Sequence, residues 1–120
     1  MVVDDERAIR ELATAILERG GYSVLCASSG DEGLDLANQH DGPIDLLLTD
    51  VVMPGLHGRE LAERLRPLRP ECRVLYMSGY AGDILPLEQP PEDDLALLQK
   101  PFTRAALLDE VERRLGSVNP

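Results

Sequence analysis

Aromatic residues are nearly missing from this chain. It has no tryptophan, and Tyr22, Tyr76, Tyr80 and Phe102 are the whole set. Platforms that stack the bases of single-stranded nucleic acid need more rings than that. Lysine is scarcer still: Lys100 is the only one, and every other base is an arginine. Twelve bases against 22 acids leave a net charge of -10. Such a surface repels nucleic acid and anionic lipid, so neither is expected as a direct ligand. Long apolar runs are absent, and none approaches the roughly 20 residues of a membrane span. The opening MVVDDER turns acidic after three apolar residues, which does not fit a signal peptide. The two cysteines, Cys26 and Cys72, lie far apart and fit no metal-ligand spacing. They are expected to be reduced, packed thiols in a cytoplasmic protein. No low-complexity segment, internal repeat or linker divides the chain.

What is present is one domain's worth of chain. The 120 residues, 43% of them apolar and 28% charged, have the balance of a soluble globular domain. The apolar pattern alternates between two periods. Met1-Val2-Val3 is a short first strand. Ile9, Leu12, Ala13, Ile16 and Leu17 then share a helical face, which Gly20-Gly21 ends. Residues 22–27 read as a second strand and 31–39 as a short helix that buries Leu34 and Ala37. Residues 44–49 are a third strand. Its Leu46-Leu47-Leu48 run suits a central parallel strand covered on both faces. A helix is expected over 58–68, with Leu61, Ala62, Leu65 and Leu68 inward. Strands are expected over 73–77 and 95–99. A last helix, capped by Thr103, buries Ala106, Leu107, Val111 and Leu115. Five strands alternating with helices predict an α/β, doubly wound parallel sheet.

In such folds the ligand crevice lies beyond the carboxyl ends of the strands. The residues at those ends are Asp4-Asp5, Asp50, Ser78 and Lys100. Taken singly, each has an ordinary explanation: helix-start charge, turn residue, loop, a common Lys-Pro dipeptide. Four strand ends delivering an acid pair, an acid, a hydroxyl and a lysine call for another. Three carboxylates in one cleft repel one another, and a divalent cation removes that cost. An all-oxygen donor set suits Mg²⁺ or Mn²⁺. A carboxylate with metal, hydroxyl and ammonium neighbours is equipped to attack phosphorus, while those neighbours stabilise the phosphoryl oxygens.

Here the segments VVDDE at 2–6, LLLTDVVMPGLHG at 46–58, VLYMSGYA at 74–81 and LLQKPF at 97–102 resemble the receiver (response-regulator) domain of two-component signalling. They are most like the receivers of hybrid sensor histidine kinases. The resemblance implies a flavodoxin-like (βα)5 fold with strand order 2-1-3-4-5. A receiver domain over 1–116 would be followed by a frayed tail at 117–120. Asp50 matches the phosphoacceptor, and a histidine kinase or histidine-phosphotransfer domain, in the same full-length protein or another, would be the phosphodonor. Asp5 matches the direct Mg²⁺ ligand, together with Asp50 and the backbone carbonyl of Val52. Asp4 matches a companion that acts through water. Ser78 matches the switch hydroxyl, and Lys100 the lysine that pairs with phosphoryl oxygens, held by a cis Lys100–Pro101 bond. The module would not be an enzyme beyond self-phosphorylation and slow self-dephosphorylation.

Three departures accompany the resemblance. Leu97 stands where the family usually has an aromatic, for which Tyr80 is a candidate substitute. Pro86, Pro90 and Pro91 break the expected fourth helix. A short turn over 81–85 and an extended acidic loop with Glu88, Glu92, Asp93 and Asp94 are expected there. The first strand is shorter than usual and is expected to be a trimmed one. His40 and His57 are expected at the surface. Two other functions compete. An aspartate-nucleophile phosphatase would carry a second Asp where Val52 stands, and a pure interaction domain would not need the full acid, hydroxyl and lysine set.

Overall fold

The computed structural model describes residues 1–51, 53, 55–78, 97–100 and 102–115, with the backbone alone at Ser78, Leu97 and Gln99. In chain order the elements are β1 (Val2–Val3), α1 (Arg7–Arg19), β2 (Cys26–Ala27), α2 (Gly30–Gln39), β3 (Leu46–Asp50), α3 (Gly58–Leu65), β4 (Arg73–Ser78), β5 (Leu97–Gln99) and α4 (Arg104–Leu115). The five strands form one parallel sheet in the order β2-β1-β3-β4-β5. The doubly wound α/β fold and its strand order are as the sequence predicts. The expected turn at 81–85, the proline-rich acidic loop, Tyr80 and the tail lie outside the described residues.

Alternation along each strand builds two cores. Val2, Leu46, Leu48, Leu75 and Met77 face α1 and α4, where Ala13, Ile16, Leu17, Leu107 and Val111 meet them. Val3, Leu47 and Tyr76 face α2 and α3, against Ala37, Leu61, Ala62 and Leu65. A strand covered on both faces needs apolar residues at successive positions, which explains the unbroken Leu46-Leu47-Leu48 run. Among the described residues, no helix is long and apolar enough to cross a membrane.

Local chemistry sets the helix ends. Ser29 caps α2 by accepting from the Glu32 N–H at 3.1 Å, and Glu32 accepts in return from the Ser28 N–H at 2.7 Å. Thr103 caps α4 through the Ala106 N–H at 3.0 Å, as predicted. Gly21 takes φ 98 just past α1, a conformation that favours glycine. The C-terminal end of α2 has no basic residue in its last turn. Arg69 serves it from another part of the chain, donating to the carbonyls of Ala37 (2.9 Å), His40 (2.6 Å) and Gly42 (2.7 Å). These are carbonyls that the helix and its exit loop leave without partners.

Several sequence expectations are corrected. Leu12 is 46% exposed. At 100° per residue it sits roughly 90° from the centre of the stripe formed by Ile9, Ala13, Ile16 and Leu17, so it falls at the edge of the apolar face. α3 stops at Leu65 rather than 68, because Pro67 has no N–H to continue the helix. Leu68 is consequently turned out and 43% exposed. β2 spans two residues rather than six, since its one neighbour in the sheet, β1, offers only Val2 and Val3 for pairing. Cys26 is exposed rather than packed, on that edge strand, with its sulfur 3.0 Å from the Thr14 hydroxyl. Cys72 is partly buried, and burial pushes its thiol up to about 11. Both cysteines are free thiols. His57 is exposed at the start of α3, and His40 is half-buried after α2.

Candidate functional site

The carboxyl ends of the strands bring the predicted polar residues to one place. β1 leads into Asp4, Asp5 and Glu6, β3 ends in Asp50, and β5 leads into Lys100. One carboxylate oxygen each from Asp4, Asp5 and Asp50 lies within 4.8 Å of the others. Asp4 and Asp50 are buried, and Asp5 is exposed. Ser78 is the last residue of β4, paired with Gln99. Its side chain, the Val52 carbonyl and the Lys100–Pro101 bond lie outside the described part of the structure.

The backbone around Asp50 is tightly held. Val51 N–H donates to Met77 O at 3.0 Å, and Gly58 N–H donates to Val51 O at 3.0 Å. The start of α3 therefore rests on the loop that follows Asp50. A Cβ at Gly58 would overlap the Asp50 carbonyl oxygen, so glycine is required there by close approach of two backbones. Thr49, fully buried, donates its hydroxyl to the same carbonyl at 3.1 Å.

The acid pair is fixed from α1. The Glu6 N–H donates to Asp4 Oδ1 at 2.9 Å, and Arg10 donates to the Asp4 carbonyl at 2.8 Å. Lys100 Nζ reaches in from the far side of the sheet. It stands 3.0 Å from Asp4 Oδ2, 3.1 Å from Glu6 Oε1 and 3.2 Å from Asp50 Oδ2. The contacts with Glu6 and Asp50 are hydrogen bonds. That with Asp4 is an ion pair without hydrogen-bond alignment, so among the described residues Asp4 Oδ2 is buried with no aligned hydrogen-bond donor.

Electrostatics follow from this crowding. Burial raises the Asp4 carboxyl above its usual range, and the Glu6 N–H and Lys100 only partly offset that. Burial works against the charge on Lys100, but Asp4, Glu6 and Asp50 outweigh it and hold the ammonium above its ordinary value. Among the described residues, the carboxylates of Asp4, Asp5, Glu6 and Asp50 outnumber the cations beside them, the Lys100 ammonium and the Arg10 guanidinium at the Asp4 carbonyl, so negative charge is in surplus. A divalent cation fits this cluster. It would relieve the surplus and give the orphaned Asp4 Oδ2 a partner that needs no donor geometry.

Sequence reasoning picked out Asp4, Asp5, Asp50 and Lys100 but passed over Glu6 and Arg10. Glu6 is the third acid in the DDE run, and an acid at a helix start has an ordinary reading. Arg10 lies one helical turn beyond Glu6, a spacing that places it back over the acid loop. A cavity of about 540 Å³ opens elsewhere, lined by Leu17, Tyr22, Ile44 and Leu115 among others, and none of the crevice residues line it.

The arrangement, with acids at the ends of β1 and β3 and a lysine after β5 of a 2-1-3-4-5 sheet, has known counterparts. The family model for the response regulator receiver domain matches residues 1–112. The chain belongs to the response regulator receiver family. A receiver is the phosphoacceptor signalling domain of two-component systems. This receiver is 34% identical over 115 residues to the sensor kinase CckA of Brucella abortus (strain 2308). That match takes in 96% of this chain and 12% of the kinase. It is 30% identical, also over 115 residues, to the response regulator receiver protein CpdR of the same organism, covering 96% of this chain and 94% of that protein. Among solved structures, the receiver domain from the hybrid histidine kinase CckA superposes with a TM-score of 0.80 at 34% identity, over 96% of each chain. The likeness to hybrid-kinase receivers read from the sequence is thus also a likeness of fold.

Proposed function

We propose that residues 1–116 form a cytoplasmic receiver whose Asp50 takes a phosphoryl group from a phosphohistidine. The donor is a histidine kinase or a histidine-phosphotransfer domain, in the same full-length protein or a separate one. Residues 117–120 lie outside the proposed domain. The observation that carries this reading is the position of Asp50: buried at the end of a central strand, with two further carboxylates and an ammonium around it.

The cation that fits the cluster is Mg²⁺. Asp5, Asp50 and the Val52 carbonyl would hold it directly, and Asp4 through water. When bound it neutralises charge on the phosphoryl oxygens and so lowers the repulsion between donor and acid cluster. The remaining chemistry belongs to the chain. An Asp50 oxygen attacks phosphorus, and the new P–O bond forms as the P–N bond to the donor imidazole breaks. The bonding pair leaves on the ring nitrogen, which takes a proton from solvent. Lys100 donates to phosphoryl oxygens as a compact ammonium, and Ser78 adds a hydroxyl donor. The aspartyl phosphate adds about -1.5 to -2 charges and three strong acceptor oxygens, which draw Ser78 and Lys100 inward and repack the loops after β3 and β4.

The test is covalent labelling. With acetyl phosphate or phosphoramidate and Mg²⁺, the protein is expected to gain the mass of one phosphoryl group, and Asp50→Asn is expected to gain none. Absence of labelling with both donors would overturn the proposal, and continuous rapid release of phosphate would favour a phosphatase instead.

A further inference from the structure

Glu6 occupies the N-cap of α1, yet its side chain does not cap the helix. It turns to Lys100, 94 positions away in the chain, and accepts a hydrogen bond at 3.1 Å. An ammonium has three N–H groups and no more. In the resting protein Lys100 faces three carboxylates, those of Asp4, Glu6 and Asp50, all within 3.2 Å. Two of its N–H groups are engaged by Glu6 and Asp50, and Asp4 holds it by charge, so phosphoryl oxygens arriving on Asp50 compete with these partners for Lys100.

The three differ in what yielding costs. The Asp4 side chain is fully buried and would be left poorly solvated, while Asp50, 11% exposed, gives up its carboxylate charge to the acyl phosphate that forms on it. The Glu6 side chain is 61% exposed and returns to water at little cost. We infer that Glu6 is a positioning residue, a placeholder that holds Lys100 in the resting crevice and is displaced by the phosphoryl oxygens. This inference rests on the phosphoacceptor reading and adds to it the group that competes with the phosphoryl for the lysine.

The experiment compares labelling rates of the full chain with acetyl phosphate and Mg²⁺. Glu6→Gln keeps the shape and removes the charge, and is expected to label roughly 1.5- to 5-fold faster than wild type, the range for releasing an exposed ion pair. An acidic side chain could also slow labelling merely by repelling the anionic donor. The same substitution is therefore made in a Lys100→Met background, where repulsion persists but competition for the lysine does not. Acceleration confined to the chain with Lys100 supports the placeholder, and equal acceleration in both backgrounds overturns it. An unchanged or slower rate in Glu6→Gln also overturns it while leaving the phosphoacceptor reading intact, whereas no labelling of wild type removes both.

A second measurement does not depend on rates. Lys100 is the only lysine, so its Nζ gives a single side-chain NMR signal. Glu6→Gln is expected to shift that signal in the resting protein and to leave it coincident with wild type after phosphorylation. A difference of equal size in both states would overturn the inference.

Discussion

Two arginine-or-lysine clasps hold this domain together, and they are built for opposite purposes. At the end of α2, Arg69 gathers three backbone carbonyls at 2.6 to 2.9 Å. At the ends of β1 and β3, Lys100 gathers three carboxylates at 3.0 to 3.2 Å. The first set of oxygens is neutral and anchored in the main chain, and nothing in the protein's chemistry competes for the cation. The planar fork of arginine suits it, since several fixed acceptors are met at once. The second set is charged, over-supplied, and partly exposed. A point charge on a flexible stem suits that one, because the partners are meant to be exchanged. The same contact, one cation to three oxygens, is a staple in one place and a switch in the other.

The sharpest way to separate the two is to remove the staple. Arg69→Ala leaves carbonyls of the α2 exit without a charged donor and is expected to cost about 2 kcal/mol in chemical denaturation. Labelling of Asp50, per folded molecule, is expected to be unchanged. A loss of labelling that exceeds the loss of folded protein would show that the two regions are coupled.

The converse change keeps charge and alters shape at the switch. Lys100→Arg is expected to slow phosphoryl uptake roughly tenfold, about 1.4 kcal/mol of barrier. The midpoint of thermal unfolding without Mg²⁺ should move little. If Lys100→Arg labels like wild type, the crevice asks only for positive charge, and Lys100 and Arg69 do not differ in the way their shapes suggest.

The smallest effect is one of pH. Cys72 belongs to the Arg69 side, where its N–H donates to the Arg69 carbonyl at 3.0 Å. Burial lifts its thiol from an ordinary 9.0 to about 11. The folded state therefore keeps a proton that the unfolded chain releases, and stability falls as pH rises from about 9 to about 11. Lys100 is held above its ordinary value, so it stays charged further into the alkaline range than a free lysine, and its clasp is lost only as pH passes its raised value. Under reducing conditions, Cys72→Ser is expected to flatten the fall between pH 9 and 11. An unaltered slope would place the alkaline sensitivity elsewhere.

The two regions also differ in how far the sequence discloses them. The strands are short apolar runs, and each ends at a polar residue, so Asp4, Asp5, Asp50 and Lys100 announce themselves once a parallel sheet is assumed. The doubly wound topology was equally legible, because the Leu46-Leu47-Leu48 run requires cover on both faces. Arg69 was not legible. It lies 27 to 32 positions from its acceptors, and nothing in a run of arginines tells which one will cross over. Glu6 was hidden for the opposite reason, since a helix-start acid has an ordinary explanation that makes a second one unnecessary. Leu12 and Leu68 show the limit of periodicity: one sits at the edge of its stripe, and the other follows Pro67, where the helical period no longer applies.

β1 has only two residues, yet it is hydrogen-bonded to β2 on one side and to β3 on the other, and Val2 and Val3 enter opposite cores. A pull along β1 works against both ladders in shear at once, and the next residues along the chain are Asp4 and Asp5. Whatever holds or frees this two-residue strand therefore also holds or frees the acid pair at its end.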